Sequence, residues 1–375
     1  MAAVKKPWRE AATVIIAARS SDVSNYQRVS SSDFHSDQDG FKILMLKRHS
    51  KSSSFPDAYV FPGGTIDKSD FSDEWMELYD NAGLTPSLKP LLDIGGKRPD
   101  IMSTIRSSRV PNEIAFRICA IREAFEESGL LIVKPSGISK NEHGLAKWSK
   151  ITQCVKKIGR RKLLQCRQRV HDNGAEFFDL CKELACVPNV WALCEWNIWL
   201  TPVGLPKRYD TIFYICCLDD VPVPQLLPDD QEIVKSTWLT PKETVNLWLS
   251  KTIRLIPPQM YEMLRLVNFR KFTGLHQFTK QRERKGIERY FPVMIIASDG
   301  VIEVYPGDSL YPMVPDPTRH SIVEVDGTME ENLHKCRNVN RIHPLESGPY
   351  CNIEPTYGHI RPVDWRTLID VKGKL

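Results

Sequence analysis

The sequence predicts an α/β protein, and three features of the chain support that fold class. Apolar segments rich in β-branched and aromatic residues recur as strands do, and segments with apolar residues at helical spacing lie between them. A turn with two successive glycines directly follows one of the strand-like segments. The chain has 375 residues, 42% of them hydrophobic, which is enough to fill the core of one large domain or two.

The predicted strands are recognised by their apolar, β-branched or aromatic composition. They cover residues 10–18, 41–47, 58–62, 191–200 and 209–218. The first two are expected to be neighbours joined by a polar loop between Ser20 and Gly40, and the third leads into the turn at Gly63-Gly64. Farther along, Asp299-Gly300 separates two more apolar segments and indicates a β-hairpin.

The predicted helices are recognised by apolar residues at helical spacing. They cover residues 71–79, 112–128, 145–185, 241–249 and 257–273. Asn112 is a candidate N-cap for the second of these, and Gly129 can supply the left-handed residue that ends it. The last helix begins with Pro257-Pro258, in keeping with the preference of proline for the start of a helix.

Three carboxylates crowd one face of the helix predicted over residues 112–128. Glu123, Glu126 and Glu127 stand at positions i, i+3 and i+4, where like charges repel and destabilise a helix. A divalent cation would turn them into a ligand set, since oxygen ligands suit Mg²⁺ or Mn²⁺. Arg122 is close enough to fix one carboxylate by charge-assisted hydrogen bonds. The alternative is a solvated acidic helix face, which is the usual explanation of an isolated Glu-Glu pair.

The glycine turn and the acidic helix together resemble the Nudix box. That motif runs Gly, five residues, Glu, seven residues, then Arg-Glu-apolar-any-Glu-Glu-any-Gly-apolar. Gly64 takes its first place, and residues 122–130 match its last nine. There are two departures from the motif. Asp70 stands where the motif has Glu, and the Arg-Glu pair begins at 122 where the spacing predicts position 78.

An insertion within the motif, here residues 71–113, is a feature of the branch of the Nudix family that hydrolyses acyl-coenzyme A. The chain also resembles this branch at residues 44–48, 59–67 and 199–202. The insertion is expected to emerge beside the metal site, because the two parts of the motif that it separates have to meet. It is therefore predicted to form a lid or wall that helps to select the substrate.

The resemblance implies an α/β/α sandwich with a mixed sheet, a helical insertion inside the motif and a C-terminal extension. The Nudix domain is expected to span residues 8–250. Residues 251–375 are expected to form a helix and β extension packed on that domain.

The resemblance also implies the residues of a hydrolytic site. Mg²⁺ or Mn²⁺ would be bound by Glu123, Glu126, Glu127 and the backbone of Gly64. Glu123 and Glu232 are the two candidates for the catalytic base. Glu232 lies in an acidic segment that is equally well explained as a polar loop.

Three arginines are the candidate substrate-binding residues: Arg48, Arg122 and Arg208. Arg208 can meet a phosphate, and an ion pair with Asp210 is an equal alternative. The implied partners are coenzyme A and acyl-coenzyme A esters, hydrolysed to adenosine 3′,5′-bisphosphate and (acyl-)4′-phosphopantetheine. Two rival interpretations remain. One is a Nudix hydrolase of ADP-ribose, NADH or capped RNA, and the other is a non-catalytic module that binds nucleotides.

Composition restricts the class of partner and the compartment. The formal net charge of +5 is mild, so it would help to attract an anionic substrate but does not indicate a nucleic-acid-binding protein. The ten cysteines include no Cys-x-x-Cys pair, so a zinc site is not predicted. The apolar neighbours of Cys119, Cys194, Cys216 and Cys217 indicate buried thiols in a reducing compartment. The sequence has no apolar segment long enough to span a bilayer.

The two ends of the sequence bear on its location. Gly373-Lys374-Leu375 resembles the Ser-Lys-Leu address read by the peroxisomal import receptor, with glycine as a variant in the first place. This tripeptide and the family resemblance predict a peroxisomal enzyme, with mitochondrion and cytoplasm as alternatives. The apolar residues 11–18 are expected to form the first strand rather than a signal peptide or presequence.

Overall fold

The structure, a computed structural model, describes residues 6–20, 39–136, 144–156, 158–219, 233–319, 323–343 and 347–369. In these residues the strands are β1 (Arg9–Ser20), β2 (Gly40–Arg48), β3 (Tyr59–Val60), β4 (Gly63–Thr65), β5 (Val133–Pro135), β6 (Leu145–Lys147), β7 (Cys186–Pro188), β8 (Leu193–Leu200), β9 (Tyr209–Asp219), β10 (Ile233–Leu239), β11 (Arg289–Tyr290), β12 (Val293–Ala297), β13 (Gly300–Val304), β14 (Val323–Glu324), β15 (Asn340–Ile342) and β16 (Pro349–Cys351). The α-helices are α1 (Glu74–Asn81), α2 (Lys89–Leu92), α3 (Asp100–Ser103), α4 (Asn112–Ser128), α5 (Trp148–Val155), α6 (Gly159–Asp172), α7 (Glu176–Glu183), α8 (Pro241–Leu249), α9 (Pro257–Leu266), α10 (Phe272–Glu283) and α11 (Met329–Lys335).

The central sheet is mixed, as predicted. Its strands follow the order β10-β2-β1-β9-β8-β11, and β3, β4 and β6 pair with β2, β1 and β9 respectively. Strand β1 is antiparallel to β2 and parallel to β9, whereas β8 and β9 are antiparallel. The prediction that residues 10–18 and 41–47 form neighbouring strands is confirmed.

Helices cover both faces of the central sheet. Along β1, Val14 and Ile16 belong to the core that includes α4, while Ile15 and Ala17 belong to the core that includes α8, α9 and α10. None of these four side chains is exposed. A strand that is buried on both faces has a continuous apolar sequence instead of an alternating one. The result is the predicted α/β/α sandwich.

The insertion, residues 71–113, contributes three short helices, α1 to α3, to the core that includes α4. Trp75 on α1 is 1% exposed and packs on Phe177 and Phe178 of α7, with ring centroids 5.8 and 5.1 Å away. The helix predicted over residues 71–79 begins a little later, at Glu74. Because its large side chains are core residues, the insertion is part of the interior of the domain. Its contact with a substrate stays a prediction.

The helix that carries the acidic residues is α4, which has the predicted bounds. Gly129 follows it with φ 76°, the left-handed conformation that ends a helix. The predicted cap was wrong, because Pro111 occupies the cap position. The side chain of Asn112 instead donates hydrogen bonds to the carbonyl oxygens of Met102 and Thr104, at 3.1 and 2.8 Å. Both carbonyls belong to the insertion, whose path the sequence pattern does not define.

Two segments predicted as continuous helices are interrupted. Residues 145–147 form β6, which pairs with β9, and the remainder of segment 145–185 contains α5, α6 and α7. The helix predicted over 257–273 ends at Leu266, and α10 begins at Phe272. The amide of Phe272 donates to the carbonyl of Asp39 at 2.6 Å, so a contact with a distant part of the chain sets this boundary.

A second sheet has the strand order β14-β12-β13-β15-β16. Strands β12 and β13 form the predicted hairpin, with Ala297 opposite Gly300. The second sheet contacts helix α9, where the hydroxyl of Tyr261 donates to Oδ1 of Asn340 at 2.8 Å. The predicted division of the chain near residue 250 stays a prediction.

The structure bears on the expectations about cysteines and about membrane-spanning segments. All ten cysteines are free thiols, eight of them buried. In the part of the chain that the structure describes, no helix is long and apolar enough to cross a membrane.

Candidate active site

Strand β4 and helix α4 bring the glycine turn and the acidic residues together. β4 pairs with β1, where Gly63 lies opposite Thr13. The amide of Gly63 donates to Oε2 of Glu127 at 2.9 Å. A Cβ atom on Gly64 would lie 2.4 Å from the carboxyl carbon of Glu123. Glycine is required at position 64 because the Glu123 carboxylate occupies the space of a side chain.

Arg122 holds the carboxylates of this face in place. Its guanidinium donates to both oxygens of Asp70 at 2.9 Å, to Oε1 of Glu123 at 2.9 Å and to Oε1 of Glu126 at 2.7 Å. Arg122 and Asp70 are 4% and 1% exposed, so they form a buried bidentate ion pair. Burial lowers the pKa of Arg122, but the attraction of Asp70 and Glu123 outweighs burial, and the net pKa rises.

Asp70 has a positioning role that the sequence did not reveal. It lies in the helical turn Lys68–Phe71 and accepts a hydrogen bond from the amide of Asp67 at 2.8 Å. The Nudix box has Glu at this position, and the shorter side chain still reaches Arg122. Through Arg122, Asp70 helps to set the positions of the carboxylates on α4.

Four carboxylates share this cluster. Asp70, Glu123 and Glu126 accept from Arg122, and Glu127 accepts from the amide of Gly63. Burial, opposed by Arg122, raises the pKa of Glu123 to about 7. Burial thus makes Glu123 harder to ionise than a free glutamate, and a nearby cation would favour its ionised form. Carboxylate oxygens are the donors that Mg²⁺ and Mn²⁺ prefer, so the chemistry of the residues fits such an ion.

The predicted metal ligands are at present engaged with protein groups. Glu123 and Glu126 accept from Arg122, and Glu127 accepts from Gly63. The Gly64 carbonyl lies 3.9 Å from Sγ of Cys119. Among the residues that the structure describes, no group of three or more His, Cys, Asp or Glu side chains has the arrangement of a metal site. Metal binding by these carboxylates stays a prediction.

Two residues of α6 approach Glu126, and the sequence had not linked either of them to the carboxylates. Nε of Arg167 donates to the backbone carbonyl of Glu126 at 2.8 Å, and Nδ1 of His171 lies 3.9 Å from Oε2 of Glu126. Arg167 and His171 are four residues apart and share one helix face. The sequence spacing indicates that Arg167 and His171 share a helix face. Which face of α6 packs against α4 depends on the tertiary fold and cannot be predicted from that spacing.

The predicted substrate-binding arginines lie in different surroundings. Arg122 contacts carboxylates, as described above. Arg48, at the end of β2, donates from Nε to the carbonyl of Ser54 at 3.0 Å. The contact of either residue with a substrate stays a prediction. Glu232, the second candidate base, lies outside the described residues, as do Gly373-Lys374-Leu375.

Arg208 is 8% exposed and donates to the carbonyls of Thr201 and Pro317, at 3.0 and 2.8 Å. Burial lowers its pKa. Asp210 forms its ion pair with Arg289, at 2.7 Å, and also attracts Arg208 electrostatically. The predicted phosphate contact of Arg208 is untested.

Comparison with known proteins places most of the chain in one family. The family model described as the NUDT19 Nudix domain matches residues 8–266, and the model described as the NUDT19 C-terminal domain matches residues 294–352.

Three similar proteins carry the name acyl-coenzyme A diphosphatase NUDT19. The chain is 37% identical over 377 residues to that of Xenopus laevis, with 96% of each chain covered. It is 39% identical over 373 residues to that of Gallus gallus, with 95% of each chain covered. It is 32% identical over 383 residues to that of Homo sapiens, with 95% of this chain and 94% of the human chain covered.

Proposed function

This chain belongs to the Nudix hydrolase family, in the group that the NUDT19 models describe, and from that premise we propose that it is a metal-dependent acyl-coenzyme A diphosphatase. It cleaves the diphosphate of coenzyme A and acyl-coenzyme A. The products are adenosine 3′,5′-bisphosphate and (acyl-)4′-phosphopantetheine.

The observation that carries this proposal is the carboxylate cluster on α4. Glu126 and Glu127 are 8% and 5% exposed, and Glu126 accepts, like Glu123, from Arg122. Buried carboxylates in excess of cations are costly unless something compensates them. A divalent cation would provide that compensation, and it would also neutralise the oxygens of a diphosphate.

In the proposed reaction, water attacks a phosphorus atom whose oxygens repel the nucleophile. Glu123, Glu126, Glu127 and the Gly64 carbonyl would hold the ion, which would neutralise phosphate charge and lower the pKa of a bound water. Arg122 holds Glu123 and Glu126 by hydrogen bonds, and thereby fixes the direction of their carboxylates.

The remaining roles in the proposal belong to the base and to the arginines. Glu123 or Glu232 accepts the proton of the attacking water. Arg48 and Arg208 are assigned to the phosphates of the substrate. Arg122 acts through the carboxylates that it positions.

The test is an assay of the purified chain with Mg²⁺ or Mn²⁺ against coenzyme A, acyl-coenzyme A, ADP-ribose, NADH and capped RNA, with products identified by mass. The expected products are adenosine 3′,5′-bisphosphate and the matching phosphopantetheine, formed with a higher kcat/KM than any other product. Cleavage of another substrate alone would support a different Nudix hydrolase. Binding without any product would support a non-catalytic module.

A peroxisomal location is part of the same proposal. It rests on the resemblance of Gly373-Lys374-Leu375 to an address read by the import receptor. A fluorescent reporter carrying the last dozen residues at its C-terminus should enter peroxisomes. A reporter that stays diffuse would remove the address from the proposal and leave the enzymatic activity untouched.

A further inference from the structure

A cavity of about 420 Å³ lies between the central sheet and the second sheet. The central sheet contributes Thr13 and Phe213 to its wall, and the second sheet contributes Met294 and Glu303. The first turn of α9 closes one side, and the loop after β8 closes another. Its volume falls within the range of pockets that bind small molecules.

The wall of this cavity is predominantly apolar, with few polar groups. No Lys, Arg or His side chain occurs among the lining residues that the structure describes. Gln259, at the start of α9, is 6% exposed, and its Oε1 atom has no hydrogen-bond partner within the described residues. A buried amide oxygen without a partner is costly, and a ligand N–H group would satisfy it.

The cavity lies on the face of β1 that is turned away from α4, and its wall meets the glycine turn at one strand pair. Thr13, which lines the cavity, lies opposite Gly63 in the β1–β4 pair, and a Cβ atom on Gly63 would lie 2.4 Å from its Oγ1. The amide of Gly63 donates to Glu127. A single residue of backbone thus connects the cavity wall with a carboxylate of the proposed catalytic cluster.

We propose that this cavity binds the acyl-pantetheine arm of the substrate, with the acyl chain against the apolar wall and a pantetheine amide N–H on Oε1 of Gln259. The proposal rests on the proposed function, because it assumes that the diphosphate lies at the carboxylates of α4. The pantetheine arm extends from that diphosphate, and the Thr13–Gly63 pair is where the cavity wall meets the strand that carries Gly64.

Charge decides which end of the substrate occupies the cavity. The nucleoside half of coenzyme A carries a 3′-phosphate, which would enter a space whose described wall offers a carboxyl group, Glu303, and no cation. Anionic groups favour sites with cationic partners. The acyl-pantetheine half has amides and methylenes and no charge, so it matches the wall.

The test compares the affinities of S-octyl-coenzyme A and coenzyme A by titration calorimetry, for the wild-type chain and for Met294→Trp. Burying methylenes should make the octyl thioether bind at least about tenfold more tightly than coenzyme A to the wild type. Met294→Trp fills the cavity, so the two affinities should come within about twofold of each other. Ile296→Trp is the matched control, since Ile296 is on the same strand, is 39% exposed and does not line the cavity. It should preserve the wild-type ratio.

Leu205→Trp provides a second variant if Met294→Trp does not fold, because Leu205 lines the cavity from an exposed loop position. Equal affinities for the two ligands in the wild type would overturn the inference. An unchanged ratio in folded Met294→Trp and Leu205→Trp proteins would overturn it as well. The proposed function can fail independently of this inference. In that case the octyl group would still strengthen binding, but the activity assay would detect no cleavage of coenzyme A or acyl-coenzyme A.

Discussion

Arg122 is the residue on which the arrangement of the carboxylates depends. It is buried, and it divides its hydrogen bonds among Asp70, Glu123 and Glu126. Asp70 takes two of these bonds, and Glu123 and Glu126 take one each. This division keeps the acidic face assembled.

Replacement of Asp70 by Ala should lower the free energy of unfolding by about 3–5 kcal/mol, because it leaves one member of a buried ion pair without its partner. Urea unfolding followed by circular dichroism measures the change. Glu77→Ala is the matched control, since Glu77 forms an exposed pair with Arg109 at 3.3 Å. That pair should contribute less than about 1 kcal/mol. Similar losses in both variants would show that the Asp70–Arg122 pair has no special weight.

Glu303 is a second residue whose charge is determined by its surroundings. It is 5% exposed and accepts a hydrogen bond from the hydroxyl of Tyr305 at 2.8 Å. Burial, opposed by that bond, raises the pKa of Glu303 from 4.5 to about 7. Folding therefore favours the protonated form. The stability that this group contributes is complete below about pH 4.5 and is lost as the pH rises through about 7.

Glu303→Gln removes this titration, so the variant should gain stability relative to the wild type as the pH is raised. Between pH 5 and pH 9 the difference in unfolding free energy should shift by up to about 3 kcal/mol in favour of the variant. Urea unfolding at several pH values gives the difference. The exposed control Glu324→Gln should show a constant difference. If the difference for Glu303→Gln were also constant with pH, the pKa of Glu303 in the folded protein would be that of an ordinary glutamate.

At the scale of elements, the insertion changes how the Nudix box is assembled. Its helices fill the core beside α4, and Trp75 donates from Nε1 to the carbonyl of Ser69 at 2.9 Å. The two parts of the motif are thus held together by packing of the segment that separates them in sequence. Removal of the whole insertion would expose that core, so single substitutions are the better test.

Trp75→Ala should lower the free energy of unfolding by about 3–5 kcal/mol, the usual cost of a large cavity in a core. Turnover of the protein that remains folded should stay close to the wild-type value, because Trp75 contacts no carboxylate of the site. Glu74→Ala, on the exposed side of α1, should change stability by no more than about 0.5 kcal/mol. A Trp75→Ala protein as stable as the wild type would show that the insertion is peripheral.

The sequence predicted an element well where the residues that determine its bounds lie within the element itself. Helix α4 was predicted with its observed bounds because apolar spacing and Gly129 are both within the segment. The end of α9 at Leu266 was not predicted, because the sequence pattern continued to residue 273. The start of the next helix at Phe272 depends on a hydrogen bond to Asp39, which is distant in sequence. The Asp70–Arg122 pair was missed for the same reason, because its members are 52 residues apart.

At the scale of the whole molecule, two sheets and the helix α9 between them are joined by buried polar contacts. Glu262 on α9 is fully buried and accepts hydrogen bonds from the indoles of Trp196 and Trp199 and from Asn197, on β8. On its other side, α9 contacts the second sheet through Tyr261. The cavity lies where these parts meet, and its wall joins residues from segments far apart in the sequence, which no local pattern could have assembled.

The central claim is that the carboxylates of α4 hold the ion that cleaves a diphosphate, and turnover of Glu127→Gln tests it most directly. The substitution keeps the shape of the side chain and an oxygen for the Gly63 amide, but it removes the charge. With acyl-coenzyme A and saturating Mg²⁺ or Mn²⁺, kcat should fall on the order of 10²-fold or more in a protein whose circular dichroism is unchanged. Glu77→Gln, an exposed control, should retain wild-type turnover. A folded Glu127→Gln protein with near-normal kcat would contradict the claim.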